Sequence, residues 1–151
     1  MPESPLPVAP PGLVLAFDFG RRRIGVACGD TLSRCASPLT AITAGPDGPR
    51  WSSVDALIAE WRPARAVVGL PYNVDDSESP MGTQARAFAA AVESRYRLPV
   101  DLVDERYSSL EAAERLRSAR QSGLRRRRLG KADVDAAAAC VILERWFTTW
   151  T

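Results

Sequence analysis

Three acidic residues, Asp18, Glu105 and Asp135, give the first suggestion of chemistry in this chain. Asp18 interrupts a short apolar run, Leu13 to Phe19, where a carboxylate is costly unless it meets a cation, a donor or solvent. Glu105 follows the expected strand Val100 to Val103, and Asp135 precedes Ala136 to Leu143, all apolar, so its side chain starts near the core. Each has an ordinary explanation: a turn aspartate capping Gly20 and Arg21, a solvated strand end, and an acid favoured by a helix dipole. Taken together, two strand ends and a helix start can be brought to one sheet edge by parallel crossovers, where converging carboxylates repel unless a cation neutralises them. Oxygen donors suit hard cations, Mg²⁺ or Mn²⁺. Ions held by such acids activate water and stabilise the leaving oxygen in phosphodiester hydrolysis. Asp133 competes with Asp135 for the third place. Two positions apart on a helix, their side chains point about 200° apart, so one faces the site while the other caps or meets solvent. Spacing alone does not choose.

Composition narrows the alternatives. The 151 residues contain no histidine, which removes the usual general base and excludes Ser–His and Cys–His triads. Cys28, Cys35 and Cys140 are dispersed and odd in number, so neither a zinc site nor a disulfide framework is expected. The net charge is only +2, so attraction to nucleic acid must come from where the cations sit. They cluster: Arg115, Arg117, Arg120, Arg125, Arg126, Arg127, Arg128 and Lys131 run without an intervening acid just ahead of Asp135, and Arg21, Arg22 and Arg23 stand beside Asp18. Both runs suit a phosphate backbone and both suit a solvated loop.

The elements that must position these residues follow from patterning. Leu13 to Phe19 and Ile24 to Cys28 read as antiparallel strands joined by a tight turn, with a third strand within Ser33 to Ile42 and a loop at Gly45 to Pro49. Val54, Leu57, Ile58 and Trp61 share a helix face that starts near Ser53 and is closed by Pro63, and Ala66 to Leu70 is a buried-type strand. Pro71 to Met81 reads as an exposed loop, Gly82 to Tyr96 as a helix and Val100 to Asp104 as a strand. Ser108 and Glu111 form a capping-box pattern opening a helix to about Arg120, Gln121 to Lys131 is a basic break, and Asp133 caps a last helix to about Phe147. The expected fold is α/β: a mixed central sheet, antiparallel at the start and parallel after the crossovers, with helices on both faces. Residues 1–12, carrying five prolines, are expected as a disordered tail ahead of a single domain, 13–151. No segment has the length of a membrane span or the form of a leader, so a cytoplasmic protein is expected.

These motifs carry a resemblance. Asp18-Phe19-Gly20 with Arg23-Ile24-Gly25-Val26-Ala27, Val68-Gly69-Leu70-Pro71, Asp104-Glu105-Arg106-Tyr107-Ser108-Ser109 with Glu111-Ala112, and Val134-Asp135-Ala136 are jointly specific. The chain resembles the YqgF/RuvX family, described both as Holliday junction resolvases and as nucleases maturing pre-16S ribosomal RNA. The resemblance implies a ribonuclease H-like fold and places the catalytic, metal-holding acids on Asp18, Glu105 and Asp135, favouring Asp135 over Asp133. Arg23 and Arg106 lie inside the motifs. Asn73 and Arg86 fall on family-like positions facing the site, and these four join Arg125 to Arg128 and Lys131 as candidates for substrate contact. Two departures stand out: Val74-Asp75-Asp76-Ser77 lacks the glycine usual after the Asn, and Asp133 stands where relatives often carry a basic residue.

The expected function is therefore a metal-dependent endonuclease on structured nucleic acid, with the 5′ end of pre-16S rRNA as leading substrate. A four-way DNA junction, which would call for a symmetric homodimer where an RNA enzyme can be a monomer, is the alternative. A non-catalytic nucleic-acid-binding module is the second. A sugar-kinase-like phosphate loop is disfavoured because that fold needs two such domains.

Overall fold

The computed structural model describes residues 12–70, 80–104 and 130–149. Strands β1 (Leu13–Phe19), β2 (Arg23–Asp30), β3 (Cys35–Gly45) and the two-residue β4 (Gly48–Pro49) come first, followed by α1 (Trp51–Trp61) and β5 (Arg65–Leu70). Helix α2 (Pro80–Tyr96), β6 (Val100–Asp104) and α3 (Lys131–Thr148) complete the described elements. The sheet order is β4-β3-β2-β1-β5-β6; β1–β2 and β2–β3 are antiparallel, and β1–β5 and β5–β6 are parallel. This is the mixed sheet expected from the sequence.

Strand β1 is central because both of its faces are apolar. Leu15, Phe17 and Phe19 pack with Val54, Ala85, Phe88 and Val92 under α1 and α2, while Val14 and Ala16 pack with Ile142, Leu143, Trp146 and Phe147 of α3. Helices thus cover both faces. Burying Ile142, Leu143 and Phe147 is worth roughly 1.5–3 kcal/mol each, which anchors α3 firmly on its side.

Several boundaries move for identifiable reasons. Helix α2 starts at Pro80, two residues before the expected Gly82, because proline suits a first helical position whose N–H would have no partner anyway. Helix α1 ends at Trp61, and Arg62 caps it by taking a left-handed conformation (φ 44°) and donating its N–H to the Ile58 carbonyl at 2.9 Å, ahead of Pro63. Gly12, assigned to the tail, is tied to Thr31: its N–H donates to Thr31 Oγ1 at 3.1 Å and its carbonyl accepts from the Thr31 N–H at 3.2 Å. Residues 1–11 of that tail, most of the expected loop at Pro71 to Met81, the expected helix from Ser108 and most of the basic break lie outside the described residues.

Helices α1 and α2 are clamped by Asp55, which accepts from Arg95 Nε and Nη2 at 2.9 Å each and from the Tyr96 hydroxyl at 2.5 Å. The hydrogen bonds from Arg95 and Tyr96 hold the Asp55 carboxyl down to about 2. Because this folded-state value lies below the usual one, the clamp is complete above pH 4 and is lost only as pH falls toward 2.

Candidate functional site

The chain positions its acids through strand register and one close approach. In the β1–β2 pairing Asp18 lies opposite Gly25. Alternation along β1 puts Asp18 on the face of Val14 and Ala16, the face that α3 covers. Gly25 is where α3 comes closest: a Cβ there would overlap the Asp135 carbonyl and peptide carbon and lie 3.1 Å from the Ala136 nitrogen. Asp18 and the Asp135 backbone are thus neighbours of the same glycine.

This approach is part of a longer seam. On β2, Gly25, Ala27 and Gly29 point one way. Ala27 packs on Ala139 and Cys140, and a side chain on Gly29 would strike Leu143 and Phe147. Two strand residues advance about 6.7 Å and four helix residues about 6 Å, so small residues at every second strand position match helix positions roughly four apart. Helix α3 therefore lies along β2 in contact with its backbone, which fixes where the helix begins.

Arg23, on the same face of β2, donates from Nε to Asp135 Oδ2 at 2.5 Å, with the two side chains 37% and 23% exposed. Asp133 turns elsewhere. Gly130 occupies the N-cap position and has no side chain to cap with, so Asp133 Oδ2 accepts the Gly130 N–H at 2.9 Å from inside the first turn. The helix thus begins at Lys131, ahead of the expected start at Asp133, and the two aspartates have separate partners, as their angular separation requires.

The parallel strands β1, β5 and β6 end at the same sheet edge, since Phe17 pairs with Val68 and Leu70 with Asp104. Antiparallel β2 starts there with Arg23, and α3 starts there as well. On β6 the residues facing α3 include Asp101, which accepts from Trp146 Nε1 at 2.7 Å, and Val103. The described strand ends one residue before Glu105. Glu105, Arg106, Asn73 and Arg125 to Arg128 lie outside the described residues, and Lys131 is exposed at the first turn of α3. Arg86 is exposed on α2, which packs on the sheet face opposite α3, so its helix is not the one that meets Asp18 and Asp135.

Among the described residues no group of three His, Cys, Asp or Glu side chains is close enough to hold a metal ion. Asp18 and Asp135 offer oxygen donors only, and Arg23 already answers the demand for a cation at Asp135, so this donor chemistry fits a hard divalent ion. Reasoning from sequence names Arg23 as a candidate for substrate contact and Gly25 only as part of a motif, without the contact either makes with Asp135. The signal that reveals their role is the alternation Arg23-x-Gly25-x-Ala27-x-Gly29, a polar residue followed by side chains too small to keep a helix away.

An antiparallel hairpin continued by parallel strands, with helices on both faces, is a fold of the ribonuclease H-like kind. Two solved structures share it: Thermus thermophilus RuvC in complex with a Holliday junction substrate, at TM-score 0.54 and 18% identity, covering 91% of this chain and 94% of that one; and the yeast mitochondrial Holliday junction resolvase Ydc2, at TM-score 0.52 and 12% identity, covering 93% and 80%. At such identities the likeness is one of fold. The family described as "RuvX: Holliday junction resolvase" matches residues 12–149. Proteins of Xanthomonas campestris pv. campestris (strain B100) and Xanthomonas oryzae pv. oryzae (strain PXO99A), each named "Putative pre-16S rRNA nuclease", are 47% identical over 98% and 97% of this chain and 94% and 93% of their own lengths. The chain belongs to the RuvX family and is a hydrolase acting on phosphodiester bonds. No described helix is long and apolar enough to cross a membrane.

Proposed function

We propose that this protein is a divalent-metal-dependent endonuclease that processes the 5′ end of pre-16S rRNA, with Asp18, Glu105 and Asp135 as its catalytic and metal-holding acids. The observation that carries the reading is that Asp18 and the Asp135 backbone adjoin the same Gly25 on one sheet face, at the edge that β6 also reaches with Asp104. The names of the relatives at 47% identity favour the ribosomal precursor. A bound Mg²⁺ or Mn²⁺ would supply an activated water and charge stabilisation at the leaving oxygen. The chain's own part is to hold carboxylate oxygens at a fixed helix start and to present Arg23 beside them, free to exchange Asp135 for a substrate phosphate once another cation takes its place. The basic residues Arg125 to Arg128 and Lys131 would contact the backbone ahead of α3.

The four-way DNA junction is the second reading, supported by the family's description and by the fold neighbours. Cleavage of a precursor 16S RNA and a synthetic four-way junction in parallel, with Mg²⁺ or Mn²⁺, tests both. Wild type is expected to cut the RNA. Asp18→Asn and Asp135→Asn are expected to lose about 10²-fold or more in rate while still binding, the scale of removing one transition-state charge stabiliser. Wild type cutting neither substrate, or variants cutting as fast as wild type, would overturn the assignment.

A further inference from the structure

The turn that brings Arg23 to the acids has a second side. Phe19 is the chain neighbour of Asp18 and so faces the other way. It lies buried at a cavity of about 850 Å³ bounded by Phe88, Trp51, the turn between β3 and β4, and the exposed Arg21 and Arg22. That volume falls within the range of roughly 300–1,000 Å³ typical of small-molecule sites. The cavity opens at the same sheet edge as Asp18, across the thickness of the sheet.

One wall is aromatic, made by Phe19, Trp51 and Phe88 packed on one another. Phe88 stacks on Trp51 with ring centroids 5.7 Å apart and 26° between planes, and lies 5.3 Å from Phe19. The Arg95 guanidinium sits 5.1 Å from the Trp51 ring, and Asp55 holds Arg95. A preformed groove loses little freedom on binding. At its mouth stand two cations and one acid, Asp47.

We propose that this groove receives an unpaired nucleotide of the substrate strand, adjacent to the scissile phosphate. The base lies against the aromatic wall and its phosphate on Arg21 and Arg22. An unpaired nucleotide joins a flat apolar face to an anion, as the groove joins an apolar floor to a cationic rim. Continuity gives the route: the turn from Gly20 to Arg23 carries Arg23 on the acid side and Arg21 and Arg22 on the groove side, so a strand held at Asp18 crosses it to reach Phe19. The inference rests on Asp18 and Asp135 being the reaction site. It adds a preference for an unpaired extension beside the cut.

Fluorescence anisotropy in EDTA, with an RNA hairpin carrying a blunt end, a short adenosine extension or an abasic extension of equal length, reads this without catalysis. On wild type the adenosine extension is expected to tighten binding about tenfold, the scale of one stacked base, and the abasic extension to lose most of that gain. Ala87→Trp, at an exposed α2 position lining the groove, is expected to remove the difference between extended and blunt hairpins, and the Arg21→Ala/Arg22→Ala double variant to shrink it. Equal affinities for blunt and extended hairpins on wild type, or a gain that survives the abasic extension or Ala87→Trp, overturn the groove. If the binding pattern holds but no RNA is cut when Mg²⁺ or Mn²⁺ is added, the assignment of the acids fails and the groove stands.

Discussion

At the scale of single residues, the ion pair between Arg23 and Asp135 matters most. A carboxylate 23% exposed beside a second acid's strand carries a charge that solvent only partly screens, and the guanidinium supplies the compensation. Removing it leaves the site more negative. Arg23→Gln is therefore expected to bind Mn²⁺ several-fold more tightly than wild type in calorimetric titration, while losing up to about 1 kcal/mol of stability in the absence of divalent ions, the ceiling for a partly exposed pair. Unchanged Mn²⁺ affinity would mean that Arg23 does not compete for Asp135. Asp18 stands out in the sequence because a carboxylate inside an apolar run is costly, whereas Glu105 reads locally as a solvated strand end and takes its proposed role from the family resemblance. What distinguishes Asp133 from Asp135 is not legible there, since it depends on Gly130 lacking a capping side chain and on Arg23 reaching across from another strand.

At the scale of elements, the seam between β2 and α3 sets the position of Asp135. Gly25→Ala puts a Cβ into the Asp135 peptide, and backbone cannot step aside as a flexible side chain can. The expected cost is about 3 kcal/mol in denaturant unfolding, together with loss of cleavage, because the helix start must lift away from Asp18. Stability and rate within twofold of wild type would show that the approach is looser than described. The elements are mostly readable: apolar period and turn residues locate β1, β2, α1, β5 and β6 to within a residue or two. Two details are not. Pro80 reads as loop although it also suits a first helical turn, since one residue type serves both, and Gly12 reads as tail although Thr31, distant in sequence, holds it.

At the scale of the whole molecule, a net charge of +2 conceals a basic run close to α3. Neutralising Arg125 to Arg128 together is expected to weaken RNA binding uniformly across sequences and to flatten the log–log salt dependence by up to about 3, since each phosphate no longer neutralised removes roughly 0.7–0.9 from the slope. An unchanged slope would return the run to a solvated role. The mixed sheet is predictable as a whole because a hairpin followed by alternating helix and strand admits few right-handed arrangements. The groove is not, since it is assembled from a turn, a hairpin and two helices. The seam also governs which changes of length this fold can accept. Deleting one residue between Asp135 and Leu143 would rotate everything before it by about 100°, setting the Ala27 and Gly29 packing out of phase with Gly25. Insertions ahead of Gly130 leave that phase untouched. A change of length between Asp135 and Leu143 therefore breaks the seam, and the register of α3 on β2 fixes the spacing of its small-residue contacts.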